Sequence, residues 1–155
     1  MLASLPACYH LRPLPEPIPS RVTRIPRPLP EAIRRVRTVV EEEMKLRILE
    51  ESSGGRQLIT APRHFATDTG PGQPAGGRQY YVQLRIDLSA HGNGTEIVIS
   101  PHRYELRTSY AYSSEGQLRT LSKIYPYEEY PGMFDNGPIM KELKTSAEMV
   151  ERGLR

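Results

Sequence analysis

Residues 79–89 alternate without a break: Tyr80, Val82, Leu84, Ile86 and Leu88 fall on one side, against Tyr81, Gln83, Arg85 and Asp87 on the other. A period of two marks an extended chain whose successive side chains point to opposite faces. One face is apolar and the other polar, so this strand belongs to a sheet with one dry and one wet side. Such a sheet needs a second layer laid across its apolar face, and that need constrains how the rest of the chain folds.

Two segments have the spacing to supply the layer. Ile33, Val36, Val39, Val40 and Met44 share one face of a helix expected over 30–43, started by Pro28 and Pro30. Ile139, Leu143, Ala147, Val150 and Leu154 form the stripe of a closing helix opened by Asp135-Asn136-Gly137-Pro138. Between them Met44, Leu46 and Ile48 alternate, Ser52-Ser53-Gly54-Gly55 turns the chain, and 57–61, extended toward Thr67, reads as the returning strand. Residues 68–77 contain four Gly and two Pro and read as a loop. His91-Gly92-Asn93-Gly94 is a hairpin turn, 96–100 and 104–112 continue the meander past a bend at Pro101, and 117–125 adds a strand before an aromatic loop over 125–134. The expected fold class is α+β: a two-layer sandwich with an antiparallel sheet of four or five strands and an N-terminal and a C-terminal helix on one face, in the order α-β-β-β-β-α. One feature opposes the first helix. Arg34, Arg35 and Arg37 crowd its positive end and Glu41, Glu42 and Glu43 its negative end. Each placement costs up to a few tenths of a kcal/mol (roughly 0.3), so tertiary burial must hold it.

Charge divides the chain at Pro30. Residues 1–30 carry 8 of the 15 prolines and four arginines against Glu16, whereas residues 31–155 balance 17 Lys+Arg against 17 Asp+Glu. The net +3 is therefore a property of the leading segment, and the neutral body disfavours a domain built to bind nucleic acid. No apolar run approaches the ~20 residues a membrane helix needs. A single cysteine supports neither an internal disulfide nor a cysteine zinc site.

That cysteine ends the run Met1-Leu2-Ala3-Ser4-Leu5-Pro6-Ala7-Cys8. Leu5, Ala7 and Cys8 resemble the end of a bacterial lipoprotein signal peptide, which implies acylation of Cys8. Only residues 1–7 precede it, short of a charged region and a 7 to 15 residue apolar stretch, so either Met1 is an internal methionine or the match is coincidental. From Arg12 the chain reads Arg-Pro-Leu-Pro-Glu-Pro-Ile-Pro, and from Arg24 Arg-Ile-Pro-Arg-Pro-Leu-Pro, both biased to polyproline II. The organisation expected is a truncated signal-like segment over 1–8, a Pro/Arg-rich extended linker over 9–30 reaching up to ~70 Å, and one α+β domain over 31–155. With Cys8, the linker, the helix running into a strand and the closing helix, the layout resembles small bacterial envelope lipoproteins with a BamC-like helix-grip domain. The resemblance implies an outer-membrane lipid anchor facing the periplasm, envelope proteins as partners and no catalysis.

Catalytic and metal motifs are sparse. His10, His64, His91 and His102 form no HExxH or HxH spacing, Ser100, His102 and Asp87 lack a Gly-x-Ser-x-Gly elbow, and the glycines of 68–77 lack a following Gly-Lys-Ser/Thr. Neither cofactor nor metal is expected. Tyrosine is more informative: Tyr104, Tyr110, Tyr112, Tyr125, Tyr127 and Tyr130 are interleaved with Arg103, Arg107, Arg119 and Lys123. Tyr and Arg are enriched at binding hot spots, so Tyr104, Arg107, Tyr110, Tyr112, Tyr125, Tyr127 and Tyr130 are the candidate partner-binding residues. Packing over a sheet edge accounts for the same tyrosines equally simply. The leading expectation is a lipid-anchored, non-enzymatic envelope protein that binds partners or scaffolds an assembly. The alternatives are a periplasmic carrier of a small apolar ligand in a helix-grip pocket and a nucleic-acid-binding accessory protein using the Arg/Tyr surface.

Overall fold

The computed structural model describes residues 14–71 and 77–155. In chain order the elements are β1 (Arg21–Ile25), α1 (Leu29–Thr38), β2 (Ile48–Glu51), β3 (Gln57–Thr60), β4 (Arg63–Asp68), β5 (Arg78–His91), β6 (Gly94–Ser114), β7 (Gln117–Pro126) and α2 (Asn136–Leu154). The seven strands form one antiparallel sheet, and both helices pack on its apolar face, giving the expected two-layer α+β sandwich.

The β5–β6 hairpin is the spine. Strands β1 and β7 share the outer side of β6, each pairing a different stretch of it; β3 and β4 share the outer side of β5, and β2 lies beyond β3. Tyr80, Val82, Leu84, Ile86 and Leu88 all face the core, as the alternation requires. On β6 the buried set changes parity, from Thr95, Ile97 and Ile99 to Tyr104, Leu106 and Thr108. A bulge at Pro101-His102 makes the switch: Gln83 pairs with Arg103 but Leu84 with Pro101, so one extra residue is absorbed and the apolar side stays inward. A bulge also suits Pro101, which has no N–H to give to a ladder.

Seven strands replace the four or five expected, for local reasons. The 57–67 segment is two strands because Ala61-Pro62 turns it; β3 pairs residues 85–87 of β5 and β4 pairs 78–82. Residues 44–47 are not strand. Helix α1 runs on into a π-helical turn, Val39–Glu43, in which Met44 N–H donates to the Val39 carbonyl at 2.9 Å. Lys45 then takes a left-handed φ of 56° and ends it, so Met44 and Leu46 reach the core from a helix exit.

The 9–30 segment departs furthest from its expected role as a linker. Residues 20–25 are free of proline and carry Val22, Thr23 and Ile25, and 21–25 form β1, paired with 95–99 of β6. Farther back, the Tyr127 hydroxyl donates to the Glu16 carbonyl at 2.8 Å and Ile18 packs against the core. The body thus begins near Glu16. Cys8 and segment 1–8 lie outside the described residues.

The unfavourable charge order of α1 is resolved by other elements. Arg35 donates to the Gly153 carbonyl at 2.9 Å, and Arg27, just ahead of α1, donates to the carbonyls of Leu154 and Arg155, capping the C-terminus of α2. Arg37 pairs with Glu51, and Arg27 also pairs with Glu31. The two helices approach closely where these arginines reach across: a Cβ on Gly153 would lie 2.3 Å from Val39 Cγ2. At its other end α2 is capped by Asp135, whose Oδ1 accepts from Gly137 N–H at 2.9 Å. Its stripe of Ile139, Leu143, Ala147, Val150 and Leu154 is buried throughout.

Candidate interaction surface

The central hairpin strands differ in length. Strand β6 has 21 residues and β5 has 14, and their pairing stops at Arg78–Thr108. Beyond that point, among the described residues, β6 keeps only β7 as a neighbour. Residues 109–122 therefore leave the sheet as a two-stranded ribbon of six register pairs, Ser109–Ser122 to Ser114–Gln117, about 20 Å long. Its tip is a two-residue turn, Glu115-Gly116, with φ of 54° and 75° as a type I′ hairpin needs.

Parity assigns the ribbon's faces. Tyr110 opposite Leu121 and Tyr112 opposite Arg119 continue the helix-side face of Tyr104 and Leu106, past the reach of the helices. Leu118 and Ile124 project from the reverse face. Tyr110, Tyr112, Leu118, Leu121 and Ile124 are between 43% and 79% exposed, and they are five of the nine large apolar side chains exposed among the described residues. Tyr110, Tyr112, Leu118 and Leu121 are on the ribbon and Ile124 lies at its root opposite Arg107, a concentration that separates them from the scattered surface leucines of any protein. An isolated two-stranded hairpin is marginal in water, and among the described residues the body supplies no cover for these side chains.

The seven candidate residues fall into four groups. Tyr104 and Tyr127 belong to the core, at 1% and 6% exposure. Tyr104 sits 4.7 Å from Phe134, 5.6 Å from Tyr127 and 6.0 Å from Tyr80, ring centre to ring centre, and its hydroxyl donates to the Asp135 carbonyl at 3.2 Å. Burial pushes its pKa well up, helped by Tyr80, Asp135 and Tyr127 nearby. Tyr127 ties residue 16 to the body and accepts from Asn136 Nδ2 at 3.2 Å. Tyr125 and Tyr130 pair edge to face at 5.2 Å, with Tyr125 half-buried and Tyr130 exposed. Tyr110 and Tyr112 are on the ribbon. Arg107 lies apart from them on the open sheet face, its guanidinium 3.9 Å from the Tyr81 ring centre and 3.2 Å from Glu105.

Composition drew attention to the tyrosines and passed over Leu118, Leu121 and Ile124. The signal for them was present: the 79–89 alternation is too short to accompany both 96–112 and 117–125, so the last two must overhang.

The open sheet face is electrically quiet. Arg24, Arg85 and Arg107 pair with Glu96, Asp87 and Glu105, and the exposed Arg103 opposite Gln83 has no such partner among the described residues, so one lone cation rather than a cluster is left for phosphate. Asp87 also accepts from Gln57, so its carboxylate is engaged away from Ser100 and His102. Among the described residues no cluster of three or more His, Cys, Asp or Glu has the geometry to hold a metal, and no helix is long and apolar enough to cross a membrane. Between helices and sheet the space is occupied by Tyr80, Tyr104, Leu84, Ile86, Leu106 and Leu143. The clefts lie at the periphery: one of about 250 Å³ between Pro15–Ile18 and Pro101, Tyr104 and Tyr127, and one of about 550 Å³ where Arg27 meets the C-terminus of α2.

The site thus defines a class, a two-layer α+β domain with a projecting apolar ribbon. No protein-family model matches the chain, and no curated protein matches it.

Proposed function

We propose that this is a non-enzymatic, lipid-anchored envelope protein that serves as a protein-binding or scaffold subunit, with the β6–β7 ribbon as its docking element. The observation that carries the reading is the exposure of Tyr110, Tyr112, Leu118 and Leu121 on an arm that contributes nothing to the core, with Ile124 exposed at its root. Hot-spot chemistry favours Tyr and large apolar side chains presented in this way. The anchor rests on Cys8 and the lipoprotein-like residues before it. Eight residue steps separate Cys8 from Glu16, where contact with the body begins, a reach of at most about 30 Å. An acylated Cys8 would hold the domain close to the membrane, on the periplasmic face of the outer membrane in the BamC-like arrangement.

A photo-crosslinking residue placed at Tyr112 or Leu121 in cells should give discrete protein adducts, while the same residue at Gln83 on the open face should not. Equal labelling at all three positions would refute ribbon docking. Mass spectrometry of the native protein tests the anchor separately, since an unmodified Cys8 thiol would remove it.

A further inference from the structure

The outer edge of β7 points to the kind of segment the ribbon takes. Among the described residues β7 is hydrogen-bonded on one side only, to β6, so the N–H and C=O groups of every second residue along its ten-residue length face outward unpaired. Natural edges of that length are usually blunted, because free donors and acceptors template another strand. Strand β7 carries no acid. Its sequence over 117–125 holds two cations, Arg119 and Lys123, with Leu121 midway on the same face. Both cations are exposed, and among the described residues neither has a carboxylate within ion-pair distance. Their cross-strand neighbours on β6 are Tyr112 and Thr108, which offer no counter-charge. Arg24, Arg85 and Arg107 elsewhere in the sheet are each matched to an acid, whereas Arg21, Arg78 and Arg103 have no such match among the described residues; Arg119 and Lys123 differ from Arg78 and Arg103 in lying on an open edge strand.

We infer that β7 accepts an extended, acidic segment of a partner protein as an added strand, and this rests on the docking role proposed for the ribbon. Register dictates the pattern. Residues opposite Arg119 and Lys123 are acidic, the residue opposite Leu121 is apolar, and those opposite Leu118 and Ile124 are apolar on the reverse face. The recognised motif therefore reads apolar-acid-x-apolar-x-acid-apolar. Main-chain hydrogen bonds supply the attachment and alternate side chains the selectivity, as in other strand additions. Arg119 and Lys123 also discourage β7 from pairing with its own copy, because antiparallel pairing centred on Leu121 sets Arg119 against Lys123.

The test uses the whole chain and two labelled peptides, Val-Glu-Thr-Val-Thr-Glu-Val and its Lys-for-Glu counterpart, followed by fluorescence anisotropy and by hydrogen exchange of the β7 amides. The palindromic pattern serves either strand direction. The acidic peptide should bind at least about 10-fold more tightly than the basic one, since two cross-strand pairs change from attractive to repulsive. It should slow exchange of amides on β7, and R119E/K123E should invert the preference with little change in thermal midpoint. Equal binding of both peptides, binding of neither, or acidic-peptide binding that survives R119E/K123E would overturn the inference. So would charge-dependent binding to phosphatidylglycerol vesicles in the absence of peptide binding, which would make the surface a membrane contact. Should the peptides fail while ribbon crosslinks in cells persist, ribbon docking stands and strand addition falls.

Discussion

Replacing Tyr104 by Phe should make the protein less stable at neutral pH and more stable at high pH. Tyr104 is 1% exposed, at the centre of the aromatic cluster, with its hydroxyl on the Asp135 carbonyl. Losing that hydrogen bond at constant ring shape costs about 1 kcal/mol at pH 7. The same burial raises the hydroxyl pKa far above its ordinary 10.0. Between those two values the unfolded chain has lost this proton and the folded chain still holds it. The unfolded state then binds fewer protons, so the stabilisation is fully present below pH ~10 and falls as pH rises, by about 1.4 kcal/mol per unit once well past that point. At pH 11 the wild type should have lost roughly 1.4 kcal/mol that Tyr104→Phe retains. The two stability curves should cross between about pH 10.5 and 11, where ionisation has cancelled the hydrogen bond. Urea unfolding followed by far-UV circular dichroism from pH 8 to 11 measures both curves, and the absence of tryptophan rules out the usual fluorescence probe. The other ionisable groups are common to both proteins and cancel in the difference. A gap that stays constant across this range would show that Tyr104 ionises as readily in the fold as outside it.

The remaining predictions concern helix contacts and the ribbon. Gly153→Ala brings a Cβ to 2.3 Å from Val39 Cγ2, and overpacking of about 1–3 kcal/mol should outweigh a helix-propensity gain of about 1; the check is a double-mutant cycle, in which Val39→Ala should relieve part of the loss. Arg27→Ala uncaps Leu154 and Arg155 and leaves Glu31 unpaired, which should cost about 1.5–3 kcal/mol in urea unfolding, whereas exposed Arg119→Ala should stay within about 0.5. Shortening the hairpin by joining Ser109 to Ser122 through Asn-Gly should shift the thermal midpoint by no more than about 3 °C, because the residues removed are exposed. A fall several times larger would mean that the ribbon packs on the body.

What the sequence made legible follows from whether the determining contacts are near in sequence. The apolar face of β5 and the stripe of α2 are periodic patterns within one element, and each occupies the face its spacing requires. Strand β1 escaped because its five residues lie inside a proline-rich average, and only their pairing with 95–99 makes them a strand. The charges of α1 look wrong as helix chemistry because Arg35 belongs electrically to α2, 118 residues away. No local rule contains that partner.

The same distinction separates the two kinds of tyrosine. Tyr104 and Tyr110 have the same neighbours in composition and the same parity on β6, six residues apart, yet one is buried and the other 43% exposed. What divides them is the end of β5 at Arg78, beyond which β6 has no neighbour on that side among the described residues. Past Arg78, then, a pattern indistinguishable from core is left facing water. The sequence writes a buried face along the whole of β6, but the described residues cover only part of it. The uncovered remainder is matched to no element among the described residues, and its residue types are those that bind protein most strongly. The docking role proposed for the ribbon rests on that uncovered face.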